Sequence, residues 1–281
     1  MTLPQHRNSL LCPNCRRLIS RDIARCPHCG LRRPGAWWKN TPLFAGFSDN
    51  YGLIKLIIYV NIGMYILSLL ISSRGVSLNP NPFRFLSPDN RSLLVLGATG
   101  TIPIIQFHNW WSLIAANYLH GGLMHILFNM IALWEIGPLA VSEYGSYRTF
   151  AIYTIGGVGG FFLSFLAGVS LTIGASAAIC ALLGAILYYG KSRGGTYGRL
   201  VFRQVGGWAI AIFVFGLLIP GINNWGHGGG IAAGALIGYL LGYTERRAEN
   251  IRHKILAVSC AVLTVLVLIG ALLNGLRLFM A

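Results

Sequence analysis

The chain has 281 residues, of which 54% are hydrophobic and only 10% charged, with 22 Lys and Arg against 7 Asp and Glu. A soluble globular domain carries about a quarter charged residues, so the composition excludes an ordinary soluble enzyme, and the apolar content excludes a disordered chain. An integral membrane protein remains. The net charge of +15 is then a signal of membrane topology before it is one of nucleic-acid binding.

Seven apolar runs approach or reach the length of a membrane-spanning helix. A helix rises 1.5 Å per residue, so about 20 residues cross a hydrocarbon core of about 30 Å. The runs lie near residues 51–72, 111–137, 148–169, 174–190, 205–222, 226–243 and 255–278. The fourth and fifth are short, which indicates helices that begin or end below the membrane surface. The predicted fold class is an all-α polytopic membrane protein.

Basic residues in the short loops predict the orientation, because cytoplasmic loops are enriched in Lys and Arg. One side carries Arg7, Arg16, Arg17, Arg21, Arg25, Arg32, Arg33, Lys39, Arg148, Lys191, Arg193, Arg199, Arg203, Arg246, Arg247, Arg252 and Lys254. The other side carries only Arg74, Arg84, Arg91 and Arg277. We expect a cytoplasmic N-terminus, an external C-terminus and a bacterial plasma membrane. Nucleic-acid binding is the alternative, and only the N-terminal segment concentrates enough charge for it.

Four cysteines near the N-terminus have the spacing C-x2-C-x10-C-x2-C and are Cys12, Cys15, Cys26 and Cys29. Two such turns supply a tetrahedral thiolate shell for zinc, and so short a segment hardly folds without the metal. A reducing cytoplasm disfavours disulfides and leaves reduced or redox-active thiols as the alternative. We expect a zinc ribbon over residues 1–36 with one structural zinc ion, followed by a linker over 37–50. The ribbon's binding partner is not readable from its sequence.

Polar side chains inside the apolar runs are costly and so indicate function. In the second run, His125 and Asn129 are four residues apart and share a helix face, whereas His120 lies about 140° from His125 and is expected to make a structural hydrogen bond. Ser176 lies near the start of the fourth helix, where unpaired backbone N–H groups favour negative charge. Taken singly, each of these residues is more often a satisfied buried group or a helix cap.

Small residues recur every four positions in two of the runs and predict that these helices meet. The fourth run has Ser176, Cys180 and Gly184, and the sixth has Gly230, Gly234 and Gly238. Such faces allow close helix approach, which would bring His227 to Ser176. Because runs two, four and six all begin outside, both residues are expected at the depth of His125 and Asn129. Together the four offer a nucleophile, a base and two oxyanion donors.

The remaining ionisable residues narrow the catalytic class. No pair of carboxylates lies within the membrane runs, which excludes an aspartyl intramembrane protease. The H-E-x-x-H motif of zinc proteases is absent, since Gly follows His120 and Ile follows His125. A Ser-His-Asp triad would need Asp89 to reach inward from the outer loop. A dyad of Ser176 and His227 is the simpler prediction.

Residues 50–245 resemble the rhomboid family of intramembrane serine proteases. The shared motifs are Trp110-Trp111, the H-x4-H-x3-N of His120, His125 and Asn129, the G-x-S of Gly174 to Ser176, and the H-x2-G-x3-G of His227, Gly230 and Gly234. The resemblance implies a six-helix core over 51–245, a Ser176 nucleophile activated by His227, and an oxyanion hole that includes His125 and Asn129. It also implies cleavage of membrane-spanning proteins near their outer ends, with no catalytic cofactor. Residues 246–281 fit the variant with one extra helix.

Three positions depart from the family pattern. Ala177 replaces the usual Gly, Ser112 the usual Arg, and Cys180 an aromatic residue. These changes bear on rate and substrate range, because nucleophile and base are both present. The alternative within the family is an inactive rhomboid-like protein that binds unstable transmembrane helices. Outside it, a transporter would line the full membrane depth with polar groups, and a membrane anchor for the ribbon would hardly need seven spans.

Overall fold

The computed structural model describes residues 9–12, 17–28, 32–36, 51–72, 75–82 and 84–280. The chain divides into two compact units, residues 1–53 and 54–281. The first contains an antiparallel hairpin of strands β1 (Ser9–Leu11) and β2 (Leu18–Ser20). Ile19 of this hairpin packs into a small buried cluster with Cys12 and Cys26. The hairpin therefore has one face turned to the cysteines.

Seven long helices make up most of the described chain after residue 51. They are α1 (Gly52–Leu70), α4 (Leu123–Tyr144), α5 (Ser146–Leu166), α6 (Ser176–Arg193), α7 (Gly195–Leu218), α8 (Asn224–Leu241) and α9 (Ile251–Met280). Two short helices, α2 (Asn90–Val95) and α3 (Ser112–Ala115), lie between α1 and α4. A second hairpin, of β3 (Ser77–Leu78) and β4 (Phe85–Ser87), follows α1. Each of the seven apolar runs of the sequence overlaps one of these long helices.

Five of the described helices, α1, α4, α5, α7 and α9, are long and apolar enough to cross a membrane. Of the other two long helices, α6 begins at Ser176, and α8 contains His227 and six glycines. They pack against each other more extensively than any other pair of helices. The architecture is thus a multi-pass membrane bundle in which α6 is buried over most of its length and α8 packs its glycine face against α6.

Glycines allow α6 and α8 to touch through their backbones. A Cβ at Gly234 would overlap the carbonyl group of Ala181, and one at Gly230 would overlap that of Ala177. In the other direction, a Cβ at Gly184 would overlap the carbonyl of Ile231. The prediction that the two small-residue faces meet is confirmed, and close backbone approach is its cause.

The prediction of one helix over residues 111–137 is wrong. Helix α3 is followed by a 3-10 turn over Ala116–Tyr118 and an extended Leu119, and α4 begins only at Leu123. The pair Gly121-Gly122 opposes helix continuation, since glycine costs about 1 kcal/mol in a helix interior. His120 therefore precedes the helix, so its predicted angle around the helix does not apply.

The fifth predicted run also differs from the structure. Helix α7 begins at Gly195, ten residues before the predicted start at 205, so Arg199 and Arg203 lie on a helix rather than in a loop. The reversal between α6 and α7 is made by Gly194 and Gly195, whose φ angles of +67° and +65° other residues rarely adopt. Only Gly194 separates the last residue of α6, Arg193, from the first residue of α7.

The segment between α1 and α4 is folded over one end of the bundle. Asp89 caps α2, accepting from the Ser92 amide at 2.9 Å. Residues Thr99 and Thr172 form a β-bridge. The Ser87 hydroxyl donates to the Gly121 carbonyl at 2.6 Å, which joins β4 to the start of α4. These contacts fix the segment above the N-terminal ends of α4 and α6.

Arg148, fully buried at the opposite end, links the α4–α5 junction to the loop before α9. Its guanidinium donates to the carbonyl groups of Tyr144, Gly242 and Arg247. Its backbone N–H donates to the Glu249 carboxylate at 2.9 Å. Burial raises the pKa of Glu249, an effect that this hydrogen bond opposes. The last helix is therefore tied to the bundle by a buried polar network.

Candidate active site

Ser176 and His227 lie within hydrogen-bond distance of each other. The Oγ atom of Ser176 is 3.0 Å from the Nε2 atom of His227. Ser176 is the first residue of α6 and His227 lies in the first turn of α8, so the contact follows from the backbone packing of these two helices. A hydroxyl next to an imidazole nitrogen is the arrangement that activates a serine nucleophile.

His125 presents its second ring nitrogen to the same place. Its Nδ1 accepts a hydrogen bond from the Gly121 amide at 3.2 Å, so the neutral ring carries its hydrogen on Nε2. A Cβ at Gly174 would come within 2.7 Å of this Nε2 and 3.7 Å of Ser176 Oγ. Gly174 also has a φ of +125°. Glycine at this position therefore leaves room for a histidine donor beside the serine.

Asn129 lies one turn after His125 on the same face of α4. Its side-chain amide donates to the His125 carbonyl at 2.8 Å. An amide group has two hydrogens, and this bond uses one of them. Asn129 is buried and lines the same cavity as Ser176. Both predicted oxyanion residues therefore lie at the serine.

Asn223 holds the start of α8 and was missed by the sequence analysis. Its side-chain oxygen accepts from the Gly226 amide at 3.0 Å, and its amide donates to Ser164 at 2.8 Å and Thr172 at 3.0 Å. The helix carrying His227 is thereby fixed to α5 and to the loop before α6. An Asn directly before a helix is a common N-cap, and this local signal could have identified it.

No carboxylate contacts the His227 ring in the part of the chain that the structure describes. The Asp89 carboxylate accepts hydrogen bonds from the hydroxyls of Ser72 and Ser92, each at 2.8 Å, as part of the α2 cap. The Nδ1 atom of His227 is buried with no hydrogen-bond partner among the described residues. Asp89 therefore does not orient the histidine.

His120 does not behave as predicted. Its ring is fully buried and packs edge-on against the His125 ring, with centroids 5.1 Å apart. Neither of its nitrogens has a hydrogen-bond partner in the described chain. The expectation of a structural hydrogen bond is thus wrong, and the contact of His120 with His125 is one of ring packing.

A cavity of about 690 Å³ contains all four predicted site residues, Ser176, His227, His125 and Asn129. Its lining also includes Arg84, the one permanently charged side chain among the described lining residues. The sequence analysis used Arg84 only for topology. Its neighbourhood depends on how the β3–β4 hairpin folds over the bundle, which no local pattern specifies.

The three departures from the family pattern have clear positions. Ala177 is buried in an apolar cluster with Phe161, directly after the serine. Cys180 is buried, and a Cβ added at Gly230 would lie 3.1 Å from the Cβ of Cys180. Ser112 is buried and donates to the Thr99 hydroxyl at 2.9 Å. Cys180 therefore lies at a close contact between α6 and α8 and also lines the cavity.

Of the four predicted zinc ligands, two can be described. Cys12 and Cys26 lie in one buried cluster, whereas Cys15 and Cys29 fall outside the described residues. Among the residues that the structure describes, no three His, Cys, Asp or Glu side chains form a metal-binding group. The zinc site therefore stays a prediction.

Comparison with known proteins agrees with this geometry. Residues 108–244 match the model of the Rhomboid domain. The chain is 33% identical to "Rhomboid protease GluP" of Bacillus subtilis, over 68% of this chain and 36% of that protein. It is 32% identical to "RHOMBOID-like protein 4" of Arabidopsis thaliana, over 68% of this chain and 52% of the relative.

A third relative is covered more completely. "RHOMBOID-like protein 6, mitochondrial" of Arabidopsis thaliana is 31% identical over 79% of this chain and 74% of its own length. The chain spans only about half, or less, of the first two relatives. Domain match, sequence identity and helical membrane architecture agree, and the chain belongs to the rhomboid family.

Proposed function

We propose that this protein is an intramembrane serine endopeptidase that hydrolyses peptide bonds in or near transmembrane segments through a Ser176–His227 dyad. The observation that carries the proposal is the distance of 3.0 Å between Ser176 Oγ and His227 Nε2 inside a cavity. A relative named as a rhomboid protease supports proteolysis as the reaction class.

The reaction has two halves. His227 Nε2 accepts the hydroxyl proton as Ser176 Oγ attacks the scissile carbonyl carbon, and the same proton passes to the leaving amine as the C–N bond breaks. Water then attacks the acyl-enzyme ester, with His227 again taking a proton. The acid product leaves, and Ser176 regains its hydroxyl hydrogen. No net proton or electron is consumed beyond the water added across the peptide bond.

The negative oxygen of each tetrahedral intermediate needs hydrogen-bond donors, and three kinds of donor lie near Ser176. His125 offers Nε2–H, Asn129 offers a side-chain amide hydrogen, and the first turn of α6 offers backbone N–H groups that no helical carbonyl accepts. Donors fixed before the reaction stabilise developing charge without reorganisation. This arrangement also explains why Ser176 stands at a helix start rather than within a helix.

The proposed substrates are membrane-spanning proteins. A helical peptide bond is shielded by its own hydrogen bonds, so the substrate must locally unwind before Ser176 can reach it. The cavity walls supplied by α4 and α7 include Phe128 and Phe215, whose rings are in contact. Apolar walls suit an apolar segment, and polar groups concentrated around Ser176 suit the exposed backbone.

The decisive experiment compares the purified full-length chain with three variants on a panel of single-span substrates. Ser176→Ala and His227→Ala should each lower turnover by several orders of magnitude. Ser192→Ala is the matched control, because Ser192 lies at the other end of α6 and does not line the cavity. Cleavage retained by Ser176→Ala at the wild-type rate would show that another residue is the nucleophile.

The second candidate keeps the fold without catalysis, as a rhomboid-like protein that binds unstable transmembrane helices. The orphaned Nδ1 atom of His227 and the replacement Ala177 are the observations in its favour. A fluorophosphonate probe separates the two, since it reacts covalently with an activated serine. Labelling of wild type and Ser192→Ala but not Ser176→Ala supports the protease, and no labelling of wild type supports the binding protein.

We also propose that Cys12, Cys15, Cys26 and Cys29 hold one structural zinc ion. The buried cluster of Cys12 and Cys26 supports this, because zinc would cross-link two knuckles in a unit with little apolar core. Metal analysis of the full chain should give one zinc per chain, falling to none in Cys12→Ser with Cys26→Ser. A zinc-free wild-type protein would contradict the site.

The proposed orientation places the active site near the outer face of a bacterial plasma membrane. Ser176 and His227 lie in the first turns of α6 and α8, whereas Arg193 is the last residue of α6 and Arg247 follows the end of α8. Basic residues favour the cytoplasm. Fusion of alkaline phosphatase after the last helix tests the assignment, since the enzyme is active only outside and an inactive fusion would reverse it.

A further inference from the structure

The outer face of the β1–β2 hairpin carries two exposed leucines side by side. Leu11 pairs directly with Leu18, and directly opposed residues in an antiparallel sheet project from the same face. Their side chains are 52% and 67% exposed. Residues of the opposite face, Leu10 and Ile19, pack with Cys12 and Cys26 instead. The exposed leucines are therefore not needed for the small core of this unit.

The same unit is rich in exposed arginines. They are Arg17, Arg21, Arg25, Arg32 and Arg33 in its described part. Asp22 is the one acidic residue of the sequence before residue 49. The unit thus presents both an exposed apolar pair and a strong excess of positive charge, and Arg17 directly precedes Leu18 in the sequence.

We propose that this surface, defined by Leu11, Leu18, Arg17, Arg21 and Arg25 and called the hairpin face, binds the headgroup region of a membrane rich in anionic phospholipid. Apolar side chains that enter the interface and guanidinium groups that bind phosphates are the two components of interfacial membrane binding. Arginine suits this role because its planar fork binds phosphate oxygens in pairs. A nucleic acid would use the arginines but leave the two leucines in water.

The hairpin face belongs to the same chain as the membrane bundle. Tethering of this kind raises the effective concentration of a weak binding surface at its target. Weak, reversible contact with lipid is therefore enough for the hairpin face to be occupied.

The test measures amide hydrogen exchange of the full-length, metal-loaded protein in two kinds of nanodisc, one of phosphatidylcholine and one of phosphatidylcholine mixed with phosphatidylglycerol. Exchange over residues 9–25 should be slower in the anionic nanodiscs. Raising the salt to about 1 M, where the Debye length is about 3 Å, should remove the difference. The measurement needs no proteolysis, so it stands apart from the proposed enzyme activity.

Variants separate the components of the hairpin face. Arg21→Gln with Arg25→Gln should abolish the lipid-dependent slowing, since each basic residue near an anionic surface strengthens attraction about fivefold. Leu18→Ser should reduce the slowing. Arg199→Gln with Arg203→Gln removes the same charge from exposed positions on α7 and should leave it intact.

Three results would overturn the proposal. They are equal exchange in both nanodiscs, slowing that persists in the double-Gln variant of the hairpin face, and slowing produced by a duplex oligonucleotide but not by phosphatidylglycerol. The last would assign the arginines to a nucleic acid instead.

Discussion

Gly234 of α8 lies against the carbonyl group of Ala181 in α6, with no space for a side chain between the two backbones. This contact is one turn away from a second one, between Gly230 and Ala177, which adjoins Ser176. The two helices can therefore approach this closely only because Gly230 and Gly234 have no side chain. The distance from Ser176 to His227 depends on that approach.

Gly234→Ala should lower activity without touching the dyad. The added methyl group must push α8 away from α6, and a displacement of about 1 Å at a reacting pair can cost about a hundredfold in rate. Gly228→Ala is the matched control, because its Cβ would meet the Phe213 ring at an ordinary 3.6 Å. Substrate cleavage and thermal unfolding of both variants check this. Equal activity of the two variants would contradict a packing limit at Gly234.

Asn223→Ala should lower both thermal stability and activity. It removes the cap of α8, which costs about 1 kcal/mol, and it removes the bonds to Ser164 and Thr172. Asn223→Asp keeps an oxygen for the Gly226 amide but has no N–H groups to donate, so it should fall between Ala and wild type. Melting temperatures and kcat report the two effects. An Asp variant as impaired as Ala would show that the cap contributes little.

If the proposed reaction is right, His125→Ala and Asn129→Ala should act mainly on kcat. Loss of one oxyanion donor costs about 10²–10³ in rate, because the donor binds the transition state better than the substrate. Steady-state kinetics with one cleavable substrate separates kcat from KM. A change confined to KM would instead make these residues part of substrate binding.

Arg148→Met should destabilise the bundle by about 3 kcal/mol or more, because it leaves several buried carbonyls without donors. Glu249→Gln should cost much less, since the side-chain oxygen that accepts from the Arg148 amide is kept. Thermal unfolding of the two variants beside wild type measures the difference. A larger loss for Glu249→Gln would show that the charge of Glu249 matters more than the donors of Arg148.

The same pair of residues predicts a pH dependence. Because burial raises the pKa of Glu249 in the folded protein, its ionisation costs more folded than unfolded. Glu249 therefore contributes to stability at pH values below its pKa in the unfolded chain. This contribution is lost as the pH rises through its higher pKa in the folded protein. The free energy of unfolding, measured as the pH rises through these two pKa values, should fall in wild type and not in Glu249→Gln. A parallel decline in the variant would assign the effect to another group.

The sequence allowed the dyad to be predicted because the signals are local. Spacing every four residues identifies a helix face, and small residues on two such faces predict that they touch, which brings His227 to Ser176. The same logic placed His125 and Asn129 together, and the structure agrees with both placements.

The break between α3 and α4 has a local signal, Gly121-Gly122, but it lies within one long apolar run that also fits a single helix. Other features depend on contacts between distant segments and could not be predicted in this way. The position of Arg84 depends on the β3–β4 hairpin, and the bonds of Asn223 depend on residues more than fifty positions away.

The polar residues of α8 have a consequence for biogenesis. A helix that begins with Asn224 and His227 and contains six glycines partitions poorly into lipid by itself, whereas the five more apolar helices can enter independently. We expect the insertion of α8 to depend on helices already in the bilayer, above all on α6, against which its glycines pack. Ser176 and His227 would then come together late in assembly.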